Sequence, residues 1–138
     1  MKLSEKQQEL IDDYLIIEDL AERRTAIIAG GPKALPYPEE ARIEECRVHG
    51  CSSRVWVTGW LDEKGLCEFR TDSDSPAVKA LADMLCRLYS GFPPTEVALE
   101  DPRFIHELGI DRHLTPTRLR GLGNVHGRVR QLALSLGA

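Results

Sequence analysis

Residues 53–76, SRVWVTGWLDEKGLCEFRTDSDSP, contain two apolar runs separated by a turn and followed by a helix start. Val55, Trp56 and Val57 open a run rich in β-branched and aromatic residues that continues to Trp60 and Leu61. Asp62-Glu63-Lys64-Gly65 supplies a turn with glycine late in it, and Leu66, Cys67, Phe69 and Thr71 form the return, so residues 53–71 predict a β-hairpin. Asp72-Ser73-Asp74-Ser75-Pro76 then offers small polar caps before a proline suited to the first helical position. A hairpin running straight into a helix points to an α+β fold.

Outward from this stretch, Val78, Leu81, Ala82, Leu85, Leu88 and Tyr89 recur at helical spacing, and Ser90-Gly91 closes that helix. Two short helices are expected from Pro94 and Pro102, the second capped by Asp101 and ended by Gly109. Thr115-Pro116 starts the last one, with Leu119, Leu122, Val125, Val129, Leu132 and Leu136 on one stripe. Gly121, Gly123 and Gly127 weaken it by roughly 1 kcal/mol each relative to alanine and are tolerated where another element packs closely. Upstream, Ser4 with Gln7 forms a capping-box signature before the stripe Leu10, Ile11, Tyr14, Leu15 and Ile17. The helical pattern resumes after Asp19 and stops at Gly30-Gly31-Pro32. Residues 34–40, with Pro36 and Pro38, read as extended loop, and residues 42–48 as a third strand beside the hairpin. The expected architecture is one α+β domain over residues 1–138, with helices packed on a short antiparallel sheet of about three strands.

The 138 residues are 42% hydrophobic and 29% charged, the balance of a folded soluble domain rather than a disordered chain. A formal net charge of −4 argues against a general nucleic-acid binder. That charge is uneven, because no acidic residue follows Asp111 while Arg112, Arg118, Arg120, Arg128 and Arg130 do. Such a basic end suits a solvated helix face, an acidic partner, or an acidic segment of the same fold. No apolar run reaches the roughly 18–20 residues of a membrane span. The N-terminal MKLSEKQQEL has acids and glutamines where a signal peptide is apolar, so a cytoplasmic protein with no membrane partner is expected. In that compartment Cys46, Cys51, Cys67 and Cys86 are expected to be thiols.

Cys51 lies between Gly50 and two serines in the connection His49-Gly50-Cys51-Ser52. Glycine allows a sharp bend beside the thiol. Arg47 and Arg54 are near enough in sequence to favour the thiolate, the nucleophilic form, while Glu44 and Glu45 oppose them. Residue types alone leave Cys51 open between a nucleophile and a small buried hydrophobe. Cys46, His49 and Cys51 form a C-x2-H-x-C cluster that reads as part of a metal site, although a second paired-ligand motif is missing. Cys46 is also placed to pair with Cys51 in a disulfide if both flank one turn. A Cys–His hydrolase using His49, His106, His113 or His126 as base is a further formal reading.

The run Gly50-Cys51-Ser52-Ser53-Arg54-Val55-Trp56 resembles the G-C-x-S-x-V-W signature of the SufE family of sulfur acceptors. Further matches follow in order: Asp72-Ser73-Asp74, Tyr89-Ser90-Gly91, Asp101-Pro102, Leu108-Gly109, His113-Leu114-Thr115-Pro116-Thr117-Arg118 and Gly121-Leu122. The resemblance runs from about Leu10 to Leu134. It implies the α+β fold shared with IscU-type scaffolds and a sulfur-transfer protein working with a SufS-type cysteine desulfurase rather than a stand-alone enzyme. By the same resemblance Cys51 takes a persulfide sulfur, which passes to a downstream SufBCD-like scaffold for iron–sulfur cluster assembly. Pyridoxal phosphate then belongs to the desulfurase, and this chain is expected to hold neither cofactor nor metal. Gly50, Ser53, Asp74 and Arg118 would support the loop or dock the partner. Cys46 and His49 depart from the family pattern, where a polar residue such as asparagine and a small residue are expected. Cys46 is therefore a candidate secondary thiol that relays or resolves the persulfide. The alternative is an IscU-like metal or cluster scaffold built on Cys46, His49 and Cys51.

Overall fold

The structure is a computed structural model and describes residues 1–138. The hairpin forms as the pattern requires. Strand β1 (Val55–Leu61) runs antiparallel to β2 (Cys67–Ser73), with Val55 opposite Ser73 and Leu61 opposite Cys67. Alternation buries Val55, Val57, Cys67, Phe69 and Thr71 on one face. The Thr71 hydroxyl donates to the Trp56 carbonyl at 2.8 Å, so the one polar side chain among them is satisfied. In the turn, the Asp62 carboxylate accepts the N–H groups of Lys64 and Leu66.

Residues 42–48 do not form the third strand. They approach the hairpin through single-turn 3-10 segments, Glu39–Ala41 and Glu44–Cys46, then touch it at one antiparallel bridge between Arg47 and Trp56. The Val48 N–H donates to the Val55 carbonyl at 2.8 Å, and the chain then turns away. The sheet has two strands rather than about three. Over residues 42–48 only Val48 is buried, so a longer strand would have no alternating apolar face to set against the core.

Six helices surround the hairpin: α1 (Leu3–Leu15), α2 (Leu20–Ala29), α3 (Pro76–Tyr89), α4 (Pro94–Leu99), α5 (Phe104–Glu107) and α6 (Pro116–Ser135). Ser75, Asp19 and Thr115 cap α3, α2 and α6 by accepting the N–H groups of Val78, Glu22 and Arg118. Ser4 does not cap α1, which already starts at Leu3; the Glu5 carboxylate accepts the Lys2 N–H instead. Nor does the Asp101 side chain cap α5. That role falls to Gln7 of α1, whose side-chain oxygen accepts the Phe104 N–H at 3.0 Å.

Helix α3 lies against β2 and buries eight residues, among them Leu81, Leu85, Cys86 and Tyr89. They join Phe69, Phe104, Leu3 and Ile11 in one hydrophobic cluster. Each fully buried side chain of this kind contributes roughly 1.5–3 kcal/mol. Helix α6 packs against α3, α4 and β1, and its second turn passes beneath residues 49–52. That crossing builds the site.

Candidate functional site

Gly50 adopts φ 83°, a conformation that places Cys51 at the bend of the loop. A Cβ at position 50 would also stand 2.6 Å from the Asn124 side-chain nitrogen, so any other residue there would push the Asn124 amide aside. The Cys51 side chain folds back onto α6, and its Sγ donates to the Gly121 carbonyl at 3.6 Å. Gly121 makes room for this, because a Cβ there would lie 3.3 Å from Sγ. Close packing thus explains Gly121 but not Gly123 or Gly127, which face open space.

The thiol is half-buried at the edge of a small, mainly apolar pocket with side walls from Val78, Leu81 and Leu114. Ser53 and Arg118 complete its rim, and the space enclosed is about 20 Å3, enough for one water-sized group. Burial pushes the Cys51 thiol above its ordinary value, so the resting group is the protonated thiol. Arg47 and Arg54 do not draw out the thiolate. Together with Arg42 they surround the Trp56 ring, their guanidinium carbons 5.1–5.7 Å from its centroid, where the negative π face attracts them.

The loop is held from one side by α6. The Asn124 amide donates to the carbonyls of His49 and Gly50, both at 3.3 Å. Arg128, one turn further on, donates to the Glu45 carbonyl at 3.0 Å. Past the loop, the Asp74 carboxylate accepts the Arg54 N–H at 3.0 Å and its side-chain Nε at 3.2 Å. Gly50, Cys51, Ser53 and Arg118 therefore converge, with Asp74 one residue-pair away. Asn124 is not among the candidate residues of the sequence reading, and Arg128 enters it only as part of the basic end. Their one signal was position: polar residues one turn apart on a helix otherwise read for its apolar stripe.

The proposed metal cluster does not assemble. His49 Nε2 lies 3.3 Å from Glu44 Oε1, Cys46 lies beside the Tyr37 hydroxyl, and Cys51 faces Gly121. No three histidine, cysteine or carboxylate side chains come together anywhere in a metal-binding arrangement. The metal-scaffold alternative falls with it, because an exposed loop gave the three residues no common direction. The four cysteines are free thiols, and Cys67 and Cys86 are buried in the core. No histidine hydrogen-bonds Cys51 as a base would: His106 pairs with Asp111 at 2.8 Å, and His126 packs against Tyr89. No helix is long and apolar enough to cross a membrane.

A two-stranded sheet covered by helices, presenting one sheltered cysteine on a glycine-hinged loop, defines a small α+β thiol protein. Residues 8–133 match the SufE family model, described as an Fe-S metabolism associated domain. The chain belongs to the SufE family. It is 34% identical over 130 residues to an uncharacterized SufE-like protein of Rhizobium etli, covering 91% of this chain and 87% of that one. It is 30% identical over 135 residues to SufE-like protein 1, chloroplastic/mitochondrial, of Arabidopsis thaliana. That match takes in 98% of this chain but spans only 36% of the plant protein. A hypothetical protein of Thermus thermophilus, solved in solution, shares the fold with a TM-score of 0.78 over 95% of both chains at 25% identity. Family and site together tie the chain to sulfur-related Fe-S metabolism.

Proposed function

We propose that this chain accepts persulfide sulfur on Cys51 from a SufS-type cysteine desulfurase, activates that enzyme, and delivers the sulfur to a SufBCD-like scaffold for cluster assembly. The observation that carries this reading is the setting of Cys51. Of the four thiols it alone sits at the bend of a loop, on the rim of a pocket, held by one weak bond to a backbone carbonyl. In the transfer, the Cys51 thiolate attacks the outer sulfur of the desulfurase's cysteine persulfide. The Sγ–sulfur bond forms as the donor's sulfur–sulfur bond breaks, and the donor cysteine leaves as thiolate, so the exchange needs no external oxidant or reductant.

The resting geometry opposes this chemistry twice, by burial and by the contact with Gly121, both of which favour the neutral thiol. Docking that draws the loop outward would remove both, returning the thiol toward its ordinary acidity in front of the donor. Once the loop closes again, the pocket beside Sγ has room for one further heavy atom, the outer sulfur. Under this reading pyridoxal phosphate stays with the desulfurase, the chain needs no metal, and residues 1–138 act as one unit in the reducing cytoplasm.

Incubation with cysteine and a SufS-type desulfurase is expected to add one sulfur mass to the peptide containing Cys51. Cys51→Ser should abolish both the label and the stimulation of the desulfurase, whereas Cys46→Ser should keep them. Full stimulation by Cys51→Ser would overturn the reading.

A further inference from the structure

We propose that Asn124, assisted by Arg128, is the latch that sets how often the Cys51 loop opens, a positioning role for one face of α6. The inference deepens the sulfur-acceptor reading and rests on it for its biological meaning, but the latch itself is a property of the free protein. Three features carry it. The Asn124 amide bridges two successive carbonyls, His49 and Gly50, immediately before Cys51. Arg128 holds the same segment at Glu45. Gly50, in contact with Asn124, has the positive φ at which the loop bends.

These bonds suit release. Both Asn124 bonds are 3.3 Å long, near the upper end of the ordinary range, and lie at the surface where water competes for the same carbonyls. Sγ contributes one weak bond to Gly121, and no ion pair joins the loop to α6. The polar hold on the closed loop is therefore a few small contributions from one face of α6, added to the packing of the thiol against Val78, Leu81 and Leu114. Asn124 and Arg128 touch no reacting sulfur; they act through the loop.

Peptide-resolved alkylation of the native free protein with iodoacetamide tests this, with no desulfurase present. Asn124→Ala removes both donors and is expected to speed modification of Cys51 about fivefold, the factor corresponding to one lost hydrogen bond of ordinary net strength. Asn124→Asp keeps the shape but sets carboxylate oxygens against two carbonyls, so its acceleration should be larger still. Arg128→Ala, acting farther from the thiol, should give about twofold, reflecting an exposed contact. Modification of Cys67 and Cys86 should stay at the wild-type rate, because the core remains folded. Wild-type rates at Cys51 in both Asn124 variants would overturn the latch, as would equal acceleration of Cys51, Cys67 and Cys86, which would mean general loosening. Persulfide labelling of Cys51 by the desulfurase is a separate readout, so the latch can fail while sulfur acceptance stands, and the reverse.

Discussion

Two carboxamides tie distant parts of this chain together, and burial separates their behaviour. Gln7 of α1 is fully buried and makes three bonds of 3.0 Å: to the Glu100 carboxylate, to the Asp101 carbonyl, and from the Phe104 N–H. Asn124 of α6 sits at the surface and makes two bonds of 3.3 Å to adjacent carbonyls. Away from water an amide with both donors and its oxygen engaged is a clamp, because removing it strands every partner at once. At the surface water replaces whatever is lost, and the same group becomes a catch that opens at small cost. The molecule places its clamp where α1 meets α5 and its catch beside Cys51.

The largest effect should come from breaking the clamp. Gln7→Leu leaves the Phe104 N–H, the Asp101 carbonyl and the Glu100 carboxylate without their partner, which should cost about 2–4 kcal/mol. In a chain of this size that lowers Tm by roughly 10 °C, measurable by circular dichroism. Below the transition, alkylation of Cys51 should be unchanged, since none of Gln7's three bonds reaches the loop. A Tm within a degree or two of wild type would mean that water reaches the amide, and the contrast with Asn124 would vanish.

An intermediate effect is expected from pH. Burial raises the Cys51 thiol in the closed state, so closure holds the proton more tightly than the open loop does. That contribution to closure is fully present below the ordinary thiol value, near 8.5, and is lost as pH rises through the raised value. Alkylation of Cys51 in the folded protein should therefore reach half its plateau at a higher pH than in the unfolded peptide containing the same cysteine. Asn124→Asp, by favouring the open loop, should move that midpoint back toward the peptide. Identical midpoints for folded protein and peptide would show that the thiol already lives in water.

The hairpin, the helix after it and the last helix were legible because their signals are local: alternation over Val55–Leu61, a capped proline start at Ser75-Pro76, and apolar spacing from Leu122 to Val129. The third strand is absent because residues 42–48 carry no such alternation, and lying next to the hairpin in sequence does not by itself make a strand. Cys51 stood out through Gly50 and the residues beyond it, whereas the metal cluster failed because sequence spacing cannot say where side chains on a loop will turn. Gln7, read locally as the capping partner of Ser4, and Asn124 hide their long-range roles for one shared reason. Each acts on backbone groups 74 to 97 positions away, and nothing local distinguishes a glutamine or asparagine that will find such a partner from one that will face solvent.

The smallest effect should come from the other end of the loop. The Asp74 carboxylate takes both the N–H and the side chain of Arg54, yet the two side chains are 46% and 62% exposed, and ion pairs of that kind contribute little. The strand pairing beneath them persists through the bond from the Asp74 N–H to the Arg54 carbonyl at 3.3 Å, which no side-chain change removes. Asp74→Asn, which keeps an acceptor for the Arg54 N–H and deletes the charge, should lose less than about 0.5 kcal/mol in urea denaturation. Cys51 alkylation should stay within about twofold of wild type, as expected for an exposed contact. If Asp74→Asn instead freed the thiol more than Asn124→Ala does, the hold on the loop would lie with the start of α3. The division between clamp and catch would then run between the hairpin and α6 rather than between the core and the surface.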